Sequence, residues 1–138
     1  DRIDIQIDVP AVTPADLALP PSKEGSAEVA ARVEAARNIQ LERNGGRTNA
    51  ELPPDLLDHV AELDREARDL LIKAAETLGL TARGYHRVQR LSRTLADLSG
   101  SEHIARIHIA EALSHRRARK GLSSVKTRHS DSRAQFLR

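Results

Sequence analysis

The chain has 138 residues, 39% of them apolar and 30% charged, with a formal net charge of +2 from 22 Lys and Arg against 20 Asp and Glu. One Tyr, one Phe and no Trp, Cys or Met exclude disulfides, zinc–thiolate sites and thiol nucleophiles, and argue against single-strand recognition by base stacking. The length fits one small domain able to fold alone. No apolar run approaches the ~20 residues of a membrane span, and no cleavable signal pattern is legible, so a cytoplasmic protein with no membrane partner is expected.

The first residue is Asp1 rather than Met, and the expectation is a segment of a longer protein. Ile3-Asp4-Ile5-Gln6-Ile7-Asp8-Val9 alternates strictly with period 2, a strand signal whose partners must lie elsewhere. Pro10, Pro14, Pro20, Pro21, Ser22 and Gly25 then mark a linker, so residues 1–25 read as an orphan strand plus a Pro-rich connection. From Ser26, a predicted N-cap, the period becomes helical. Val29, Val33 and Ala36 share one face, closed by Gln40 or Leu41, and Asn44-Gly45-Gly46 is the stop.

Pro53-Pro54 opens a short helix to about Ala61. Asp64 caps a helix from about Arg65 to Leu78, with Ala67, Leu70, Leu71, Ala74 and Leu78 as its apolar stripe and Gly79 as its end. Thr81 caps the next, which runs to about Leu98 with Val88, Leu91, Leu95 and Leu98 on its apolar face. Tyr85 flanks that face, packing between helices, and Ser99-Gly100 stops the helix. Ile104 packs beneath the entry to a last helix, Arg106 to about Arg117, which uses Ile109, Ala110 and Leu113. Residues 119–138 read as a disordered basic tail. The predicted fold class is all-α, a bundle of four or five helices over residues 26–118.

The near-neutral total conceals an asymmetry. Residues 1–82 carry a net −7, residues 83–120 a net +6 and residues 121–138 a net +3. A basic half suits phosphate, in a nucleotide or in nucleic acid, or the acidic face of a neighbour. No phosphate loop, dinucleotide fingerprint, nucleophile elbow or His-Glu-x-x-His motif is present. His108, Glu111 and His115 recur at i, i+3, i+7, but surface His and Glu are common on amphipathic helices, and no metal site is assigned. Arg83, Arg87 and Arg90 lie at i, i+4, i+7 on one face, with Arg93 beyond. Arg83 falls in the first helical turn, where an anion is favoured. On spacing alone, a solvated basic face explains these arginines better than a phosphate site does.

The stretch Leu80-Thr81-Ala82-Arg83-Gly84-Tyr85-His86-Arg87-Val88 resembles a motif of the magnesium-chelatase-like AAA+ ATPases, of the YifB/ComM type. So do Thr94-Leu95-Ala96-Asp97-Leu98-Ser99-Gly100-Ser101 and His108-Ile109-Ala110-Glu111-Ala112-Leu113. The helix from Ser26-Ala27-Glu28 to Gln40-Leu41-Glu42-Arg43 and the following Asn49-Ala50-Glu51-Leu52 match the opening of the same domain. Asp1-Arg2-Ile3-Asp4-Ile5 resembles the end of the ATPase core, and the likeness extends over about residues 1–118.

The resemblance implies a C-terminal helical lid over a nucleotide held with Mg2+. The phosphate loop, metal-binding acid and inserted zinc finger of that core are absent from this chain, which alone would bind no cofactor and be inactive. It further implies Arg83 as the sensor-2 Arg reaching the ATP γ-phosphate, and Arg2 as a candidate trans-acting arginine finger. The implied partners are the core of the same chain, neighbouring subunits in a ring, expected to be a hexamer, and DNA for a bacterial motor of ComM-like branch migration in natural transformation. Two alternatives stand beside it. One is a stand-alone nucleic-acid-binding module in which Arg87 and Arg90 touch the backbone; the other is a magnesium-chelatase ATPase subunit. Thr81 for Ser and Gly84 for Ala depart from the family pattern.

Overall fold

The helices begin and end on local capping chemistry. In the computed structural model, which describes residues 3–116, these are α1 (Pro14–Leu17), α2 (Ser26–Arg43), a 3₁₀ turn (Asn49–Glu51), α3 (Pro54–Val60), α4 (Arg65–Leu78), α5 (Ala82–Leu98) and α6 (Arg106–Ser114). The Asp64 carboxylate accepts from the Ala67 amide at 2.7 Å at the start of α4. Gly79 ends α4 at φ 59°, a left-handed conformation that costs a glycine little. The Thr81 hydroxyl accepts from the Gly84 amide at 3.1 Å at the start of α5. Two boundaries move: Gly25, not Ser26, is the cap of α2, and α6 stops at Ser114 rather than Arg117. The expectations for Arg2 and for the tail 119–138 lie outside the described residues.

The alternating segment 3–9 forms no strand here. A strand needs a ladder, and among the described residues the one β-bridge is an isolated parallel pair, Leu63 with Ile104. Ile3, Ile5, Ile7 and Val9 are all exposed. The segment is held instead by the Gln6 amide donating to the His115 carbonyl at 2.9 Å and by an ion pair between Asp4 and Arg87.

Helix α5 lies at the centre, against α2, α3, the 3₁₀ turn and α6, while α4 packs on α6. The core joins Leu52, Leu57, Ala61, Ala67, Leu71, Val88, Ala96, Ile104, Ile109 and Ala112. The expected stripe on α2 is only half used: Ala36 and Gln40 are buried, but Val29 and Val33 are exposed because the first half of α2 extends past the bundle. Likewise Leu98 is exposed, and the face of α5 that packs is largely small or polar: Gly84, Ser92, Arg93, Ala96 and Asp97 beside Val88.

That face is closed by a buried ionic network. The Asp97 carboxylate accepts from Arg43 at 2.6 and 3.0 Å, from Asn49 at 2.8 Å and from Arg93 at 3.1 Å. Arg93 also donates to the carbonyls of Ser101 and Glu102, each at 2.7 Å. The Asn49 amide donates to the Gln40 side chain at 2.9 Å. The end of α2, the 3₁₀ turn and α5 thus meet on one carboxylate, and Arg93 ties the loop after α5 to it. Burial is the largest single influence on Asp97 and pushes its pKa up. The hydrogen bonds from Arg43 and Asn49 and the charges of Arg93 and Arg43 together outweigh it and hold the carboxyl below its ordinary range.

His108, one of the residues that recur at metal-like spacing, has both ring nitrogens engaged locally. Nδ1 accepts from the Ala105 amide at 3.0 Å, capping α6, and Nε2 lies 2.9 Å from the Ser99 hydroxyl. An accepting Nδ1 requires the neutral ring, and burial, reinforced by the Arg93 charge, lowers the His108 pKa in the same direction. Among the described residues no group of three His, Asp or Glu is placed to hold a metal ion. No helix among them is long and apolar enough to cross a membrane.

Candidate functional site

One cavity of about 500 Å³ gathers the basic face of α5. Its lining is Arg83, His86, Arg87 and Arg90 from α5, Pro54 from the start of α3, and Asp4 from the N-terminal segment. The spacing i, i+3, i+4, i+7 places those four α5 residues on one side of the helix. Arg93, almost one turn beyond Arg90, pairs instead with Asp97 in the buried network, so it is a structural residue.

The three arginines of the cavity differ in what they touch. Arg83, in the first turn of α5, is exposed. Arg87 is 9% exposed and its Nε donates to Asp4. Arg90 is half-buried and its Nη2 donates to the Leu52 carbonyl at 2.8 Å. A solvated basic stripe is therefore not what forms: two of the three guanidiniums turn inward. His86 meets Tyr85 edge to face at 5.8 Å, and among the described residues neither Nδ1 of His86 nor Nε of Arg90, both buried, has a hydrogen-bond partner.

Among the described residues, three guanidiniums against one carboxylate give the cavity an excess of positive charge. Arginine stays charged at all accessible pH and presents a planar fork that matches phosphate oxygens. The N-terminal end of α5 adds its partial positive charge beside Arg83. The donor set fits a phosphate-bearing ligand, with Arg83 the group free to reach outward. It does not fit a metal ion, since among the described residues Asp4 is the one acidic group lining the cavity. Asp4 itself escaped sequence reasoning, because its alternating surroundings marked it as the polar side of a strand. The Asp97 network also escaped it, because its members are spread from α2 to the loop after α5.

Gly84 sits among these residues and weakens the helix that carries them. Its carbonyl accepts from Arg116 at 3.4 Å. A methyl group there would meet the Thr81 hydroxyl at 3.4 Å, Arg116 at 3.5 Å and Leu80 at 3.8 Å, all ordinary contacts. Gly84→Ala should thus stabilise the domain by roughly 0.5–1 kcal/mol through helix propensity. A higher midpoint in denaturant unfolding checks this, and a lower one would show that the first turn of α5 needs the glycine.

Comparison with known proteins follows the same residues. Residues 23–116 match the family described as magnesium chelatase, subunit ChlI C-terminal. The chain is 39% identical over 117 residues to the "Competence protein ComM" of Haemophilus influenzae. It is 35% identical over 118 residues to the "Uncharacterized protein YifB" of Escherichia coli, and 33% identical over 117 residues to that of Salmonella typhimurium. Each match covers 84% of this chain but 23% of the relative, so the chain spans about a quarter of the length of the curated relatives it matches.

Proposed function

The chain belongs to the magnesium chelatase ChlI C-terminal family, and from that premise we propose that it serves as the helical lid of an AAA+ ATPase and binds the terminal phosphate of ATP through Arg83. The observation that carries this reading is the cavity in which Arg83 stands exposed beside two inward-turned arginines. Bound ATP with Mg2+ would supply the phosphoryl group to be transferred, held mainly by a core that this chain lacks. Arg83 donates its fork to the terminal phosphate oxygens and offsets the charge that develops there, with no proton equilibrium of its own. Arg90 and Arg87 keep the cavity positive from behind. Since Arg83 belongs to a rigid helix at the centre of the bundle, drawing it toward phosphate moves the whole lid.

Arg2 is assigned to the trans-acting finger on the family resemblance. The similarity to a competence protein supports a ring motor acting on DNA, which is the substrate we assign to the longer protein, with neighbouring subunits of the ring as partners. The purified chain should hydrolyse no ATP, and a measurable turnover from it would refute the lid assignment. Duplex DNA binding that survives deletion of residues 119–138, with a steep salt slope, would favour a stand-alone nucleic-acid module instead.

A further inference from the structure

A single buried imidazole joins the end of α5 to the start of α6. His108 is 5% exposed, and its Nδ1 accepts from the Ala105 amide at 3.0 Å. The ring proton therefore lies on Nε2, which stands 2.9 Å from the Ser99 hydroxyl and donates to it. The Ser99 hydroxyl in turn donates to the Ala96 carbonyl at 3.0 Å. Three hydrogen bonds thus run in one direction, from the amide that opens α6 to a carbonyl in the last turn of α5. Ala105, the N-cap of α6, makes no side-chain cap of its own, so His108 takes the place that Glu or Gln holds in an ordinary capping box. The loop between the two helices is tied elsewhere too. Arg93 donates to the carbonyls of Ser101 and Glu102. The Ile104 amide donates to the Glu62 carbonyl at 2.9 Å, and the Ile104 carbonyl accepts from the Asp64 amide at 3.1 Å.

A proton on Nδ1 replaces the acceptor that faces the Ala105 amide by a second donor. It also places a cation near the Arg93 guanidinium of α5, itself held by Asp97. The carboxylates that face the ring are Asp64 at the start of α4 and Glu111 on α6. Asp64 is already engaged by the Ala67 amide, and the Glu111 side chain is 51% exposed, so neither makes up for the lost cap. Further out, His103 pairs with Glu62 and His115 with Glu111. We propose that His108 is a proton-sensitive latch, which in its neutral form fastens α6 to α5 and on protonation frees the Ala105 amide and the first turn of α6. Burial, reinforced by the Arg93 charge, holds the ring below its ordinary value of 6.5. The unfolded chain therefore takes up the proton first. The contribution of the latch is complete above 6.5 and is lost as the pH falls from there through the lower folded value. At the far end of α6 the His115 carbonyl accepts from the Gln6 amide and Arg116 donates to the Gly84 carbonyl, which links the latch to the helix start that carries Arg83.

The test compares the 138-residue chain with its His108→Gln variant, since Gln at that position can accept from the Ala105 amide at any pH. Nitrogen NMR of the native imidazole near neutral pH should show the proton on Nε2, and a proton on Nδ1 would overturn the latch. In urea unfolding, the native unfolding constant should rise by up to about tenfold between pH 6.5 and one unit below it. That of His108→Gln should rise clearly less, and an equal rise in both proteins would overturn the latch. Hydrogen exchange at the Ala105 amide, corrected for its intrinsic pH dependence, should lose protection in step with the titration of the His108 ring. Protection that stays constant through that titration would overturn the release of α6, and this measurement decides on the native chain alone if His108→Gln does not fold.

Discussion

Asp97→Ala should destabilise the domain by about 3–5 kcal/mol, because it removes one partner of a buried ionic network and leaves the others charged. The Asp97 side chain is 0% exposed and that of Arg93 2% exposed. Without the carboxylate, Arg93 keeps the carbonyls of Ser101 and Glu102 but has no anion. Arg43 and Asn49 lose the group that joins α2 and the 3₁₀ turn to α5. Domains of this size have a total stability of roughly 5–15 kcal/mol, so the variant should melt more than about 10 °C lower or fail to fold. Asp97→Asn keeps the shape and part of the hydrogen bonding and should lose less.

The network also sets an acid limit. The carboxyl is held below its ordinary value of 3.8 in the folded state. Its contribution is therefore present above that value and disappears as the pH falls through the lower folded one. Unfolding midpoints measured below pH 4 should drop steeply in the native chain and less in Asp97→Asn. A variant within 1 kcal/mol of the native chain at neutral pH would show that packing, not the carboxylate, holds these elements together.

The second large effect concerns chemistry. In the full-length protein that carries this segment, Arg83→Ala should lower the rate of ATP hydrolysis by about 10²–10³-fold, the size of effect seen when one aimed donor is removed from a transition state. Stability should change little, within roughly 0.5 kcal/mol, since Arg83 is exposed and Ala is as good a helix former. Arg83→Lys keeps the charge but not the planar fork, and should restore only part of the rate. The measurement is single-turnover hydrolysis together with nucleotide affinity. A fall in kcat with affinity largely kept places the interaction in the transition state. Normal turnover in a folded Arg83→Ala protein would remove Arg83 from the site.

The helix boundaries were legible because their causes are local. Asp64, Gly79, Thr81 and the Ser99-Gly100 pair act within one turn of their own position, and the structure ends its helices on them. Most of the stripe on α4 was legible for the same reason: Ala67, Leu71 and Ala74 recur at helical spacing and are buried, whereas Leu78, expected with them, is exposed at the end of the helix. Segment 3–9 shows the limit of such reasoning. Its alternation describes a strand correctly as a pattern, but a strand exists only where another backbone is available to pair with it.

The four arginines of α5 divide the two kinds of knowledge most clearly. Their spacing places Arg83, Arg87 and Arg90 together, and they do line one cavity. Nothing in that spacing says which is exposed, which is paired and which is structural. Arg87 is buried because Asp4, 83 positions away in sequence, reaches it. Arg90 is held by the carbonyl of Leu52, 38 positions away. Arg93 is structural because Asp97 beside it is also bound by Arg43, 54 positions from that carboxylate. By itself the sequence determined the all-helical class, the limits of most helices and the grouping of the basic residues, since these depend on neighbours within a turn or two. Only the tertiary structure decided what each guanidinium does, because the free energy of a charge depends on its burial and on partners that the fold brings from distant parts of the chain.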